Sequence, residues 1–92
     1  MEPIKRNHMV IVRGGGDLAT GVIHKLHQCG YRVLILECDH PSAIRRHVAF
    51  CEAVYDGSAE VEGVVCRRIQ ETDILAQCES CWEVGEIPLL TD

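Results

Sequence analysis

The chain has 92 residues, of which 47% are hydrophobic and 25% charged, a composition typical of one small globular domain with a thin core. Its formal net charge of −5 argues against nonspecific binding to nucleic acid. No apolar run approaches the roughly 20 residues of a membrane-spanning helix, and the first residues lack the apolar stretch of a secretory signal. We therefore expect a cytoplasmic protein that binds neither nucleic acid nor membrane.

The first predicted strand leads into a run of three glycines. Met9–Val12 is an apolar, β-branched run that favours a buried strand. From Asp17 onward the apolar residues recur at helical spacing, and Gly30 is placed to end this helix. Tyr31–Leu36 favours a second buried strand, which closes at the polar Glu37.

The rest of the chain continues to alternate between strands and helices. Further elements are predicted as a short helix from Pro41 to Val48, strands over Phe50–Val54 and Gly63–Ile69, a helix capped by Thr72-Asp73 that ends at Gly85, and a last strand, Ile87–Leu90. This alternation predicts a Rossmann-like three-layer α/β sandwich with a mainly parallel sheet. The length suits a single such domain over residues 1–92, and a chain that stops two residues after an apolar strand fits a cut through a longer protein as well as a natural terminus.

The glycines indicate a site for a phosphate or pyrophosphate. Gly14, Gly16 and Ala19 fit the form G-x-G-x-x-G/A between a strand and a helix, with Gly15 in the free position. Side chains at these glycines would keep the backbone amides away from the ligand. Glu37 stands about 20 residues further on, where a carboxylate accepts hydrogen bonds from ribose hydroxyls and favours NAD over NADP. The alternative is a tight turn that binds no ligand, with Glu37 a solvated acid.

Three charged residues near the glycine run modify this hypothesis. Asp17 would repel phosphate at the helix start unless it points to solvent, caps the helix or holds a cation. Arg45 and Arg46 could reach a phosphate near the end of the second strand, since arginine suits bidentate phosphate contacts. Pairing of one arginine with Glu37 or Asp39 is an equally good interpretation.

The remaining chemistry-bearing residues form no catalytic pattern. The six cysteines sit in apolar patterns typical of buried, reduced thiols, and the Cys78-x-x-Cys81 pair lacks the second pair of a zinc site. The five histidines show no metal-ligand spacing, and His40 alone lies near the predicted crevice. We therefore predict no metal site and leave catalytic residues, and any enzymatic activity, unassigned.

Several segments together are more specific than a general nucleotide-binding pattern. They resemble the YqeB-type family, accessory proteins of selenium-dependent molybdenum hydroxylases. The segments that carry the resemblance are Val12–Val22, Leu34–Glu37, Pro41–Arg46, Val48–Gly57 and Val61–Gly63. Positions matching the family's loop and signature are Gly14, Gly15, Gly16, Asp17, Leu18, Ala19, Arg45 and Arg46.

This resemblance implies a role in maturation of the molybdenum cofactor or in its insertion into a hydroxylase. Because members of that family are longer, it also implies that residues 1–92 are the N-terminal part of a longer protein. The implied partners are a molybdenum hydroxylase or its maturation machinery, and a molybdopterin dinucleotide or NAD would suit the loop. One alternative is an NAD-binding oxidoreductase domain. Another is a ligand-free protein-interaction module that uses the acidic half, residues 51–92, which hold ten acidic and two basic residues. The thin core favours completion by a second copy, as in a homodimer.

Overall fold

The computed structural model describes residues 9–38 and 49–91. In these ranges the strands are β1 (Met9–Arg13), β2 (Arg32–Glu37), β3 (Ser58–Val61), β4 (Val64–Arg68) and β5 (Ile87–Thr91). The α-helices are α1 (Asp17–Gln28), α2 (Ala53–Asp56) and α3 (Ile74–Glu83), and a turn of 3₁₀ helix, Phe50–Glu52, leads into α2. The predicted helix from Pro41 to Val48 lies outside the described residues. No helix within the described ranges is long and apolar enough to cross a membrane.

The five strands form one mixed sheet in the order β1-β2-β5-β4-β3. β1 with β2, β2 with β5 and β5 with β4 pair in parallel, whereas β3 and β4 pair antiparallel. Glu62 and Gly63 form the connection between β3 and β4, with φ angles of 49° and 83°. Two positive φ angles in a row are those of a two-residue hairpin, which joins only antiparallel neighbours.

The prediction of a Rossmann-like three-layer sandwich is therefore wrong: the structure is a small mixed α/β domain. The sheet is mostly parallel, but the β3–β4 hairpin gives it an antiparallel edge. Phe50–Val54, predicted as a strand, is helical, and the strand Ser58–Val61 was not predicted. A short run such as Phe50–Val54, which is apolar and buried except at Glu52, has no periodicity that separates strand from helix.

The core consists of two clusters on opposite faces of the sheet, and successive residues of β2 contribute to one cluster and then to the other. Val33 and Ile35 pack with Ile23 of α1 and with Phe50. Leu34, whose side chain points to the other face of the sheet, packs with Cys78 and Cys81 of α3. Strand β2 thus has apolar side chains buried on both faces, as the sequence predicted, and it holds α1 with its glycine loop at a fixed position.

Candidate functional site

The glycine run lies where two parallel strands end. Arg13 at the end of β1 is in register with Leu36 of β2, so both carboxyl ends meet at one edge of the sheet. The amide of Gly14 donates a 2.7 Å hydrogen bond to the carbonyl of Leu36, and Gly14 has a φ of 91°. A residue with a side chain is strained at that angle, which explains the need for glycine here.

Both the amide and the carbonyl of Gly15 form hydrogen bonds that hold the loop in place. Its amide donates to Oε2 of Glu37 at 2.7 Å. Its carbonyl accepts from the amide of Cys51 at 2.9 Å and from the Thr20 hydroxyl at 2.9 Å. A Cβ on Gly15 would lie 3.1 Å from the Cys51 nitrogen, so glycine allows this close approach of two backbone segments. The loop is therefore anchored to α1, β2 and the segment before α2.

Sequence reasoning missed the part that Thr20 plays in this anchoring. Thr20 is 3% exposed, and its hydroxyl accepts a 3.0 Å hydrogen bond from the amide of Phe50 while it donates to Gly15. Helical spacing was the available signal, because Thr20 precedes the buried Ile23 by three positions and so shares its side of α1. A threonine on the buried side of a helix needs a partner for its hydroxyl.

Glu37 lies beside the loop, as its position at the end of β2 predicted. One carboxylate oxygen accepts from Gly15, and the other accepts from the amide of Cys38 at 2.9 Å. A carboxylate has about four acceptor positions, so two such bonds leave capacity for hydroxyl donors. The role of Glu37 as an acceptor for ribose hydroxyls stays a prediction.

The start of α1 adds further hydrogen-bond donors to this edge. Gly16 is the N-cap residue, with φ −73° and ψ −171°, and no side chain caps the helix there. The first intrahelical bond of this turn is donated by Thr20 to Gly16. The amides that precede Thr20 in the first turn have no acceptor within an α-helix, and they lie at the positive end of its dipole.

The other predicted loop residues have different surroundings. Leu18 is 91% exposed, whereas Ala19 is partly buried against the core. Asp17 begins α1, but its side chain is not described, and Arg45 and Arg46 lie outside the described residues. The structure thus joins the glycines to Glu37 and leaves the predicted roles of the charged residues untested.

The cysteines divide into buried and accessible thiols. Cys51, Cys66, Cys78 and Cys81 are buried, Cys29 is half-buried, and Cys38 is exposed beside Glu37. Burial raises the pKa of Cys78 to about 11, with a further contribution from Cys81. Burial likewise raises the pKa values of Cys66 and Cys81. Raised pKa values favour the protonated thiols, and Cys78 and Cys81 pack in the core cluster that contains Leu34.

Cys38 is therefore expected to react first with a thiol reagent in the folded chain. At pH 8, a chromogenic disulfide should modify this thiol at least about tenfold faster than the four buried ones, because those react only when the structure opens. Stopped-flow absorbance measures the phases. Cys38→Ser should remove the fast phase and leave a slower one from the half-buried Cys29, and denaturant should make all thiols react together. A fast phase that persists in Cys38→Ser would contradict the assignment.

The fold and this edge define a small mixed α/β domain with a glycine-rich loop between a strand and a helix. Over 86 residues, 94% of its length, the chain is 40% identical to the uncharacterized protein YqeB of Escherichia coli (strain K12). The chain is therefore similar to a part of that protein. The chain spans about 15% of the length of that relative. No family model and no solved structure matches the chain.

Proposed function

We propose that this chain is a ligand-binding part of an accessory protein that serves the maturation or insertion of the molybdenum cofactor in selenium-dependent molybdenum hydroxylases. The accessory role rests on the resemblance of the loop and signature residues to that family. The observation that supports ligand binding is the glycine loop itself, which places the start of α1 and the Glu37 carboxylate at one edge of the sheet.

The proposed ligand contains a nucleotide. Its phosphates lie at the amides of Gly16–Ala19, where the helix dipole favours negative charge. Its ribose hydroxyls donate to Glu37, whose oxygens keep free acceptor positions. A Cβ built on Gly14 would meet no atom within 4 Å, so the loop is open on that side. A molybdopterin dinucleotide or NAD supplies both groups.

Binding is tested by thermal unfolding of the chain with NAD, NADP, ATP, GTP, CTP and a molybdopterin dinucleotide. A ligand at 100 times its dissociation constant adds about 2.7 kcal/mol, which raises the midpoint of a domain of this size by several degrees. Gly16→Val should abolish the shift. Because the backbone of Gly16 is extended, with φ −73°, valine fits that conformation and the variant should still fold.

Gly21→Ala is the matched control, since a Cβ there meets nothing within 4 Å and the residue lies within α1. This variant should keep the ligand shift of the parent. Cooperative melting of the parent with no shift for any of these nucleotides would refute ligand binding by the loop. An NAD shift alone would favour the oxidoreductase alternative, which predicts hydride transfer with NADH.

A further inference from the structure

A groove of about 510 Å³ lies at the amino end of β2, opposite the glycine loop. Tyr31 and Arg32 at the start of β2 form one wall, and Glu79, Trp82 and Glu83 of α3 form the other. The volume is within the range of pockets that hold small ligands or single side chains of a partner. Nothing in the proposed function uses this groove.

The groove has a negative electrostatic character. His27 of α1 and Glu83 of α3 place the C-terminal turns of both helices at its border, where the helix dipoles are negative. The last turn of α1 contains the basic residues Lys25 and His27, whereas α3 has none in its last turn, so the α3 dipole is the one that no basic side chain in its own turn offsets. Burial lowers the pKa of His27, with a further contribution from His24, and so disfavours a positive charge on the imidazole.

Two glutamates add full negative charges to the partial negative charges of the helix ends. Glu79 and Glu83 are four positions apart in α3, so their side chains project from the same side of the helix. Both are exposed, and both line the groove. Among the described residues that line the groove, Arg32 carries the opposing charge. With two glutamates against one arginine, the net negative charge of these side chains favours a cation in the groove.

Trp82 supplies a fixed aromatic surface beside these charges. Its indole nitrogen donates a 3.0 Å hydrogen bond to the carbonyl of Val33, which sets the orientation of the ring. The guanidinium carbon of Arg32 lies 5.5 Å from the ring centroid, within the range of a cation–π contact. The ring already interacts with one guanidinium group, and Tyr31 adds a second aromatic side chain to the groove.

We propose that this groove binds a basic segment of a partner polypeptide, with an arginine side chain placed against Trp82 and between Glu79 and Glu83. The carboxylates pair with the guanidinium group, and the aromatic side chains contact its planar face. The partner contributes charge opposite to that of residues 51–92, which hold ten acidic and two basic residues. The site is independent of the glycine loop.

Trp82 is the only tryptophan of the chain, so its fluorescence reports on the groove directly. The probe is a short capped peptide of alternating glycine and arginine, titrated at low salt and again at 0.5 M salt. We expect a saturable change in emission that weakens with salt, because the contacts lie near the surface. The same peptide with citrulline in place of arginine keeps the shape without the charge and should not bind.

The variants Glu79→Gln and Glu83→Gln should each weaken binding by roughly two- to fivefold, as expected for an exposed ion pair. Arg32→Gln removes the like charge and should strengthen binding. Glu60→Gln removes an equal charge from an exposed position on β3, outside the groove, and should change binding little. Far-ultraviolet circular dichroism confirms that each variant is folded.

Equal binding of the arginine and citrulline peptides would overturn the proposal, as would an unchanged emission of Trp82 across the titration. A weakening in Glu60→Gln as large as in Glu79→Gln would show a nonspecific effect of net charge and would also overturn it.

Discussion

Replacing Phe50 by alanine is expected to lower the free energy of unfolding by about 3 to 5 kcal/mol, the usual cost of removing a buried phenylalanine ring. Phe50 is 0% exposed and packs in the same cluster as Ile23 of α1 and Ile35 of β2. Because a domain of this size is stable by only about 5 to 10 kcal/mol, the variant should lose much of its stability. Urea denaturation followed by circular dichroism measures the change.

Phe50→Leu is the matched control, since it keeps an apolar side chain and the backbone amide that binds Thr20. Its cost should be roughly 1 to 2 kcal/mol, clearly below that of alanine. A loss under about 1 kcal/mol for Phe50→Ala, with an unchanged denaturant slope, would show that the ring is not packed as described.

Thr20→Val is expected to cost about 1 to 3 kcal/mol although it preserves the shape of the side chain. The substitution removes the hydroxyl that accepts from the buried amide of Phe50 and donates to the carbonyl of Gly15. Gly15 keeps its bond from Cys51, but the Phe50 amide loses its described partner and remains buried. An unsatisfied buried donor carries its full desolvation cost.

Thr20→Ser separates this effect from simple packing. Serine keeps the hydroxyl and loses one methyl group, which should cost about 1 kcal/mol or less. Urea denaturation should therefore rank serine closer to the parent than valine. Hydrogen exchange at the Phe50 amide should accelerate in the valine variant alone. The opposite ranking would show that the hydroxyl bonds contribute little.

The elements around the glycine loop could be predicted because their signals are local. Strand β1, the start of α1 at Asp17 and strand β2 follow directly from apolar runs, a change of period and the glycines between them. The position of Glu37 beside the loop follows as well, since adjacent parallel strands end at the same edge. These inferences need no knowledge of distant parts of the chain.

The features that could not be predicted depend on distant contacts or on weak local signals. The bond from Cys51 to Gly15 joins segments far apart in sequence, and no pattern in either segment indicates it. β3 is a short strand that alternates poorly, and its connection uses Glu62 at a positive φ where asparagine or aspartate is the usual signal. Without that hairpin, the alternation of elements suggested a Rossmann-like sandwich with a mainly parallel sheet.

The position of β5 has a consequence for synthesis on the ribosome. β5 is the last strand in the described chain, yet it lies at the centre of the sheet, between β2 and β4. Until Ile87–Thr91 leaves the exit tunnel, the β1–β2 pair and the β3–β4 hairpin have no strand to join them. The nascent chain therefore exposes apolar strand edges until β5 has been synthesised, and chaperone protection matters most in that interval.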